Sequence, residues 1–393
     1  MKLGIVGKPN TGKSTLFEAL TLKSIEKAGY PFTTIEPNMG VAFASADCPC
    51  RELEVSCDPN NSKCRDGTRF VPVNLLDIAG LVPGASEGKG MGNEFLDSVR
   101  EADALVHVLD CAGKTNEKGE PAEDYDVLND VKFVEEEFDL WMRNLLEESW
   151  DSWMRKLRST DSSVDQFLAD KLSGLGIKLE HIRETLRDLD ISKKPDSWDE
   201  EDIESFVSRL REVSKPTVFA CNKIDLPGAE ENLESLRDEY PEEKFVPVSA
   251  ESELALRKAA EAGKIDYLPG SSGFEVLADL SEKQEKALER IREEVLERFG
   301  TTGVQELIDT AVFDLLNMIV VYPVEDESSF SDQKGNVLPD AVLVEKGSTP
   351  VDLAYAIHSD IGDSYVKAVD ARTGRTLSKD HELEDGDIVR IVV

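Results

Sequence analysis

Nothing in this 393-residue chain approaches a continuous apolar run of about 18 residues, near the least that spans a bilayer. The first apolar segment opens at Lys2, which leaves no room for a cleavable leader. A cytoplasmic address without membrane contact is therefore expected. Histidine is scarce: of the four, His181, His358 and His381 stand at no metal-binding spacing, and His107 falls inside an apolar run and reads as core. Six cysteines in a chain long enough for a large core do not make a disulfide framework. Cations are the most telling shortage, with 45 Lys and Arg against 80 Asp and Glu and a net charge of −35. No Lys/Arg cluster of the kind that grips a phosphate backbone is evident.

What is present starts at the N terminus. The run KLGIVG suits a buried strand, and GKPNTGKST after it fits GxxxxGK[ST] from Gly7 to Ser14, with a helix-like STLFEALT beyond. In that setting Gly7 and Gly12 let backbone N–H groups turn inward on a phosphate, and Lys13 adds a point charge toward the terminal phosphates. Ser14 is positioned to ligate Mg²⁺. The expected nucleotide contacts run through Gly7, Lys8, Pro9, Asn10, Thr11, Gly12, Lys13, Ser14 and Thr15.

A phosphate-binding loop in so acidic a chain bears on the charge. Acidic residues are spread through every segment rather than gathered in a tail. Either the surface repels polyanions, or it keeps the protein hydrated in a cytosol salty enough to screen its self-repulsion within a few ångströms. The second reading, a halophilic one, is preferred, because the acidity is general rather than local.

Further apolar runs, FVPVNLLD (70–77), ADALVHVLD (102–110), PTVFACNKID (216–225) and KFVPVSA (244–250), alternate with helical stretches. That alternation predicts a doubly wound α/β fold with a mostly parallel sheet and ligands at the carboxyl ends of its strands. About 100 residues separate the ADALVHVLD and PTVFACNKID runs, far more than one crossover helix needs. They predict an inserted helical bundle, in which Phe138, Trp141, Leu145, Trp153 and Leu157 share a helical spacing and Trp141, Trp150 and Trp153 pack between helices rather than bind RNA. Two further helical stretches follow, and then short strands with one helix capped by Thr349, opened by Pro350 and carrying Asp352 in its first turn.

NKID (222–225) follows a strand. A carboxylate at Asp225 accepts from the N1–H and exocyclic N–H₂ of guanine, donors that adenine lacks on that edge, so GTP is expected over ATP by orders of magnitude. Lys223 is expected to lay its stem over the base, Asn222 to tie this loop to the phosphate loop, and Ser249 with Ala250 to close the other side.

Taken in order, GKPNTGKS, PFTTIEPN, DIAGL, NKID and SAE resemble the translation-factor class of P-loop GTPases. With YPFTTIEPN, DIAGLVPGASEGKGMGNEFL, the helical insert and GNVLPDAVLVEKGSTPVDLA, the chain resembles the Obg-related YchF subfamily, archaeal branch, over essentially its whole length. The resemblance implies a P-loop GTPase domain (1–114 and 215–262) interrupted by a helical insertion (115–214), then a helical extension (263–318) and a TGS domain of β-grasp form (319–393). It also implies an association with ribosomes or RNA in translation, and Thr34, rather than Thr33, as the switch threonine that reaches Mg²⁺. Bacterial and eukaryotic relatives depart from the guanine signature and tend to prefer ATP. This chain retains Asp225.

Asp77, at the head of DIAG, is the third expected metal ligand beside Ser14 and Thr34. Leu81 follows, where many nucleotide hydrolases carry a polar residue that orients water. The family resembles GTPases in which a hydrophobic residue replaces that glutamine, so another group must act. Asn10 is the candidate: related GTPases use an Asn here to coordinate K⁺, which offsets transition-state charge. Asn10, Lys13, Thr34 and Gly80 are the expected catalytic set. Gly84, Gly88, Gly90 and Gly92 allow the switch to order on the γ-phosphate and relax on its loss. The expected activity is slow hydrolysis of GTP to GDP and phosphate by a monomeric switch; the alternatives are a nucleotide-gated scaffold with incidental hydrolysis and an ATPase of the bacterial sort.

Cys48, Cys50, Cys57 and Cys64 fall in one loop of the switch hairpin. Four thiolates suit tetrahedral Zn²⁺, but their spacing of CxC, then six, then six residues lacks the paired CxxC knuckles of ribbon sites, so free or redox-active thiols are preferred. Cys111 and Cys221 end apolar runs and read as buried small side chains.

Overall fold

Each of the apolar runs becomes a strand. The computed structural model describes residues 1–21, 39–78, 99–123, 125–159, 162–189 and 195–393. Thr33, Thr34, Gly80, Leu81 and the glycines from Gly84 to Gly92 lie outside the described residues. The principal elements run β1 (Lys2–Val6), α1 (Lys13–Thr21), β2 (Met39–Asp47), β3 (Lys63–Arg65), β4 (Thr68–Asp77), β5 (Ala104–Asp110), α2 (Leu128–Leu157), α3 (Val164–Leu172), α4 (Leu179–Asp188) and α5 (Glu200–Ser214). β6 (Thr217–Asn222), α6 (Ala229–Glu239), β7 (Lys244–Val248) and α7 (Ala250–Glu261) follow. A two-residue pairing of β8 (Ile265–Asp266) with β9 (Glu275–Val276) leads to α8 (Glu282–Ile291) and α9 (Val304–Asp309). Last come β10 (Met318–Val324), β11 (Val342–Glu345), α10 (Pro350–Ile357), β12 (Lys367–Asp370), β13 (Arg375–Leu377) and β14 (Ile388–Val392).

The chain divides into two compact units, residues 1–19 with 75–307 and residues 20–74 with 308–393. In the first, the strands lie in the order β4-β1-β5-β6-β7, and β1, β5, β6 and β7 pair in parallel, with Ile5 opposite Val106, Val108 opposite Ala220 and Ala220 opposite Val246. All seven residues of β5 are buried, as expected of a central strand covered on both faces. The loops after β1, β5, β6 and β7 leave from the carboxyl edge, where a doubly wound sheet binds ligands, and β4 ends there at Asp77.

The opening of α2 covers the sheet: Val127 and Val131 pack with Leu109, Phe219 and Phe245. Its later turns join the inserted bundle. Their deeply buried row is Phe138, Met142, Leu146, Trp150 and Met154, successive fourth residues on one helix face. Trp141, Leu145, Trp153 and Leu157 are only half-buried, so the core face is turned about one position from the expected stripe. Trp150 stacks on Trp198 at 5.3 Å between centroids, and Trp198 tilts against Phe206 of α5. Arg211 of α5 ties the bundle to α2 by pairing with Glu135 (3.2 Å) and Asp139 (2.8 Å).

In the second unit, β2 lies beside β4 and β3 pairs antiparallel with β4. The C-terminal sheet is mixed, in the order β11-β10-β14-β12-β13, with β10 and β14 parallel and the other pairs antiparallel. Its helix α10 starts at a reciprocal cap: Thr349 N–H donates to the Asp352 carboxylate (2.8 Å) and Asp352 N–H to the Thr349 hydroxyl (3.4 Å), with Pro350 in the first turn. Among the described residues no helix is long and apolar enough to cross a membrane.

Trp150→Ala removes the largest buried side chain of the α2 row. It is expected to destabilise the protein by about 3–5 kcal/mol, read as a lowered urea midpoint in concentrated KCl. Trp141→Ala is expected to cost less than half as much, and equal costs would contradict the assigned face.

Candidate nucleotide site at the carboxyl ends of the strands

The loop between β1 and α1 is held in a shape few residues adopt. Gly7, Asn10 and Gly12 have positive φ (141°, 64° and 102°), and a Cβ on Gly12 would lie 2.2 Å from Asn222 Nδ2. Only glycine fits there. The Thr11 hydroxyl donates to the Lys8 carbonyl (3.2 Å), and Leu16 N–H to the Gly12 carbonyl (2.9 Å) begins α1. Ser14, in the first turn, is exposed, and Thr15 is half-buried. Helix N-termini present unpaired N–H groups and a positive dipole end, so the loop and α1 together form an anion-binding cradle.

Two lysines of this loop serve different ends. Lys8 is 2% exposed and turns inward, its Nζ 2.9 and 2.7 Å from the two Asp130 oxygens, 2.7 Å from the Thr115 carbonyl and 4.0 Å from the Tyr125 ring centroid. Burial lowers its pKa against the pull of Asp130, and burial likewise raises Asp130 to about 6 against the pull of Lys8. What Lys8 offers at the loop is its backbone. Lys13 stays at the cradle, with its Nζ donating to the Lys8 carbonyl (2.7 Å). Burial brings its pKa down to about 8, while Asp77 at the end of β4 pulls it up. The Asp77 carboxyl is raised by burial and drawn down by Lys13.

A second loop closes on the first. The Asn10 side chain donates to the Gly119 carbonyl (2.8 Å), and a Cβ on Gly119 would lie 2.5 Å from the Pro9 carbonyl oxygen. Residues 115–121 are thus packed directly on Pro9 and Asn10. Asp110, fully buried at the end of β5, accepts from the Thr115 hydroxyl (2.8 Å) and pairs with Lys223 (3.0 Å).

The third loop follows β6. Asn222 Nδ2 donates to the Thr11 carbonyl (2.8 Å), and its Oδ1 accepts from Ala250 N–H (3.0 Å). Lys223, at φ 63°, donates to the Asn10 carbonyl (3.0 Å). Asp225 accepts from the Ser249 hydroxyl (2.9 Å). Behind Ser249, fully buried Glu253 accepts from Tyr267 (2.7 Å), Thr302 (2.6 Å) and Arg257 (2.5 Å). Ser249 N–H donates to the Thr302 carbonyl (2.9 Å).

Gly7 to Thr15, Asp77, Asn222, Lys223, Asp225, Ser249 and Ala250 are therefore assembled at one edge of the sheet, while Thr34 and Gly80 lie outside the described residues. Asp110, Thr115, Gly119, Asp130 and Glu253 are not marked as site residues by the sequence. An Asp that ends a largely apolar strand was the one available sign, at Asp110. His107, by contrast, is buried against Phe219, and burial holds it neutral with a pKa of about 3.

The chain matches three family descriptions: 50S ribosome-binding GTPase over residues 2–139; Obg-like GTPase YGR210-like, G4 motif-containing domain over 220–326; and TGS domain over 334–393. It is 48% identical to a GTP-binding protein of Methanocaldococcus jannaschii, covering 99% of this chain and 98% of that one. The ribosome-binding ATPase YchF of Buchnera aphidicola is 27% identical over 100% and 98% of the two chains. The crystal structure of a GTP binding protein from Pyrococcus horikoshii superposes with a TM-score of 0.80 at 39% identity, covering 100% and 99%.

The depressed Lys13 pKa has a readable consequence. A bound polyphosphate raises that pKa, so binding takes up a proton wherever the free lysine is deprotonated. Affinity is expected to be flat with respect to this group below pH 7 and to fall above about pH 8, by up to about tenfold per pH unit. Calorimetry in buffers of differing ionisation enthalpy reads the uptake directly; no uptake at pH 9 would refute it, and Lys13→Met should abolish it.

Proposed function

The chain belongs to the YchF-like Obg family of P-loop GTPases, and from that premise we propose that it binds GTP with Mg²⁺, hydrolyses it to GDP and phosphate, and uses the exchange as a switch on the ribosome. The observation that carries the choice of base is Asp225, a carboxylate oriented by Ser249 on a loop braced by buried Glu253. Guanine supplies two donors to such a group and adenine supplies none on that edge. The ribosomal assignment rests on the 50S ribosome-binding GTPase description and on the Buchnera relative's name.

The site's own residues divide the work. Backbone N–H groups from Gly7 to Ser14 hold the phosphates, and Lys13 brings its charge to the terminal ones. Gly12 leaves the space that the Asn222 amide fills, so the base loop closes directly on the phosphate loop. Ser14 and Asp77 would hold Mg²⁺, joined by Thr34; the burial that raises the Asp77 pKa is the setting in which a carboxylate gains from a cation. When bound, Mg²⁺ neutralises charge on the β- and γ-oxygens. Lys223 packs along the base, and Asn222 keeps the base and phosphate loops at a fixed separation.

Leu81 offers no hydrogen bond to water, so the hydrolytic assistance is assigned to Asn10 with K⁺. The Asn10 amide is anchored through its nitrogen on Gly119, which leaves its oxygen as the atom for a cation. The acidic composition suits a potassium-rich cytosol.

Two measurements test this reading. Unlabelled GTP is expected to displace labelled GTP at concentrations on the order of 100-fold or more below those of ATP, with Asp225→Ala collapsing the difference; equal competition by ATP would favour the ATPase alternative. Single-turnover hydrolysis is expected to be stimulated by K⁺ over Na⁺ by on the order of tenfold or more, to lose that stimulation in Asn10→Ala, and to quicken on ribosomes. Equal rates in NaCl and KCl would remove the role of Asn10, and indifference to ribosomes would favour the scaffold.

A further inference from the structure

Among the described residues the nucleotide site leaves one cluster of four metal-ligating side chains unused. Cys48 follows β2, Cys50 lies two residues on, Cys57 stands in the excursion beyond, and Cys64 is in β3. Their four sulfurs all lie within 4.8 Å of one another, and Cys50 and Cys64 are 3.8 Å apart. Four thiolates at the usual zinc–sulfur distance of about 2.3 Å occupy the corners of a tetrahedron with edges of about 3.8 Å. The missing CxxC knuckle has a substitute: Arg51 N–H returns to the Cys48 carbonyl (3.3 Å) and Val55 N–H to the Cys50 carbonyl (3.1 Å), wrapping the backbone around the first pair.

A second observation concerns charge. Arg69 of β4 is registered directly opposite Cys64 and is fully buried. It donates to the Ser62 hydroxyl (3.0 Å) and the Leu338 carbonyl (2.7 Å), lies 5.3 Å from the Tyr322 ring centroid, and has no hydrogen-bond partner at Nε. Among the described residues no carboxylate lies within ion-pair distance of it, and Asp340 acts on it only from further away. A guanidinium is always charged, and burying it without a counter-charge is costly. Four neutral thiols supply none. Four thiolates around a divalent cation carry a net charge of about −2, which the guanidinium offsets.

We propose that Cys48, Cys50, Cys57 and Cys64 bind one structural Zn²⁺, with Arg69 as the buried counter-charge. The metal fixes a segment that has little secondary structure of its own yet docks on the C-terminal sheet within the same unit. Asp58 N–H donates to the Val337 carbonyl (2.8 Å), Asn60 N–H to Pro339 (2.6 Å), and the Asn61 side chain exchanges bonds with Ala341 (2.9 and 3.0 Å). Cys48 itself packs with Tyr322, Val324 and Leu338. The same geometry recasts the spacing: three separate pieces of chain deliver the ligands, so the intervals between the cysteines do not bear on whether they share a metal.

The test uses the full chain, purified without chelator and without a metal-affinity resin. Elemental analysis is expected to give about one zinc per chain, and exchange with Co²⁺ to give the intense visible bands of tetrahedral thiolate coordination. In native protein the four thiols should resist a thiol reagent until a chelator releases the metal, and chelation should lower the melting temperature. Cys57→Ser is expected to lose the metal while retaining GTP binding. Should that variant misfold, wild-type metal content and thiol protection still decide. Less than about a tenth of an equivalent of zinc, with no cobalt spectrum and four thiols reacting at once, would overturn the proposal, and so would two disulfides in place of the metal.

Discussion

One side chain holds the nucleotide edge together. Asn222 donates to Thr11 and accepts from Ala250, so a single amide joins the loops after β1, β6 and β7. It sits where Gly12 has no Cβ, and any side chain at position 12 would displace it. Both polar atoms of the amide are used, and a hydrocarbon replacement would leave a buried N–H and a buried carbonyl unpaired. The inward turn of the loop, the start of α1 and the distance from phosphate cradle to base loop all follow from this clasp.

Around the clasp lies a set of charges that the fold must hold in register. Lys8 with Asp130 is a close pair buried on both sides, and Lys223, itself partly exposed, pairs with the fully buried Asp110. Such pairs add little net stability over apolar packing, but breaking one is strongly unfavourable. Their effect here is positional. Lys8 fastens the phosphate loop to the start of α2, and Asp110 fastens Lys223 and Thr115 to the end of β5. Each ion pair joins segments more than 100 residues apart in sequence, so the shape of the phosphate loop is coupled to the placement of the bundle's first helix.

What could be read in advance was what is local. The strand runs, the glycine loop and NKID needed only short-range pattern, because strand burial and positive φ leave marks within a few residues. The β-grasp helix announced itself by Thr349, Pro350 and Asp352 within four positions. Partners distant in sequence were not legible. Nothing near Lys8 points to Asp130, and nothing near Ser249 points to Tyr267 or Thr302. On α2 the apolar residues cover more than half the circumference, so spacing alone could not choose between the row through Trp141 and the row through Trp150; Trp198 and Phe206 decide it. The four cysteines meet only after β3 pairs with β4 and the excursion folds on Tyr322 and Leu338, a geometry to which interval counting is blind.

A net charge of −35 and a site for a polyanion are compatible because screening depends on depth. In molar salt the Debye length is about 3 Å, so carboxylates on the surface are nearly invisible to an approaching nucleotide. Lys13, by contrast, is desolvated enough to bring its pKa down to about 8, and its attraction for a phosphate oxygen acts through protein rather than brine. Cradle amides and a helix terminus are likewise fixed dipoles that dissolved ions cannot enter between. Four cations are set where solvent ions compete least: Lys13 at the phosphates, Lys223 beside Asp110, Lys8 beneath the loop and Arg69 beside the thiols. An acidic exterior therefore costs the site little in concentrated salt, and lowering the salt would turn the same carboxylates into a long-range barrier to the ligand as well as a strain on the fold.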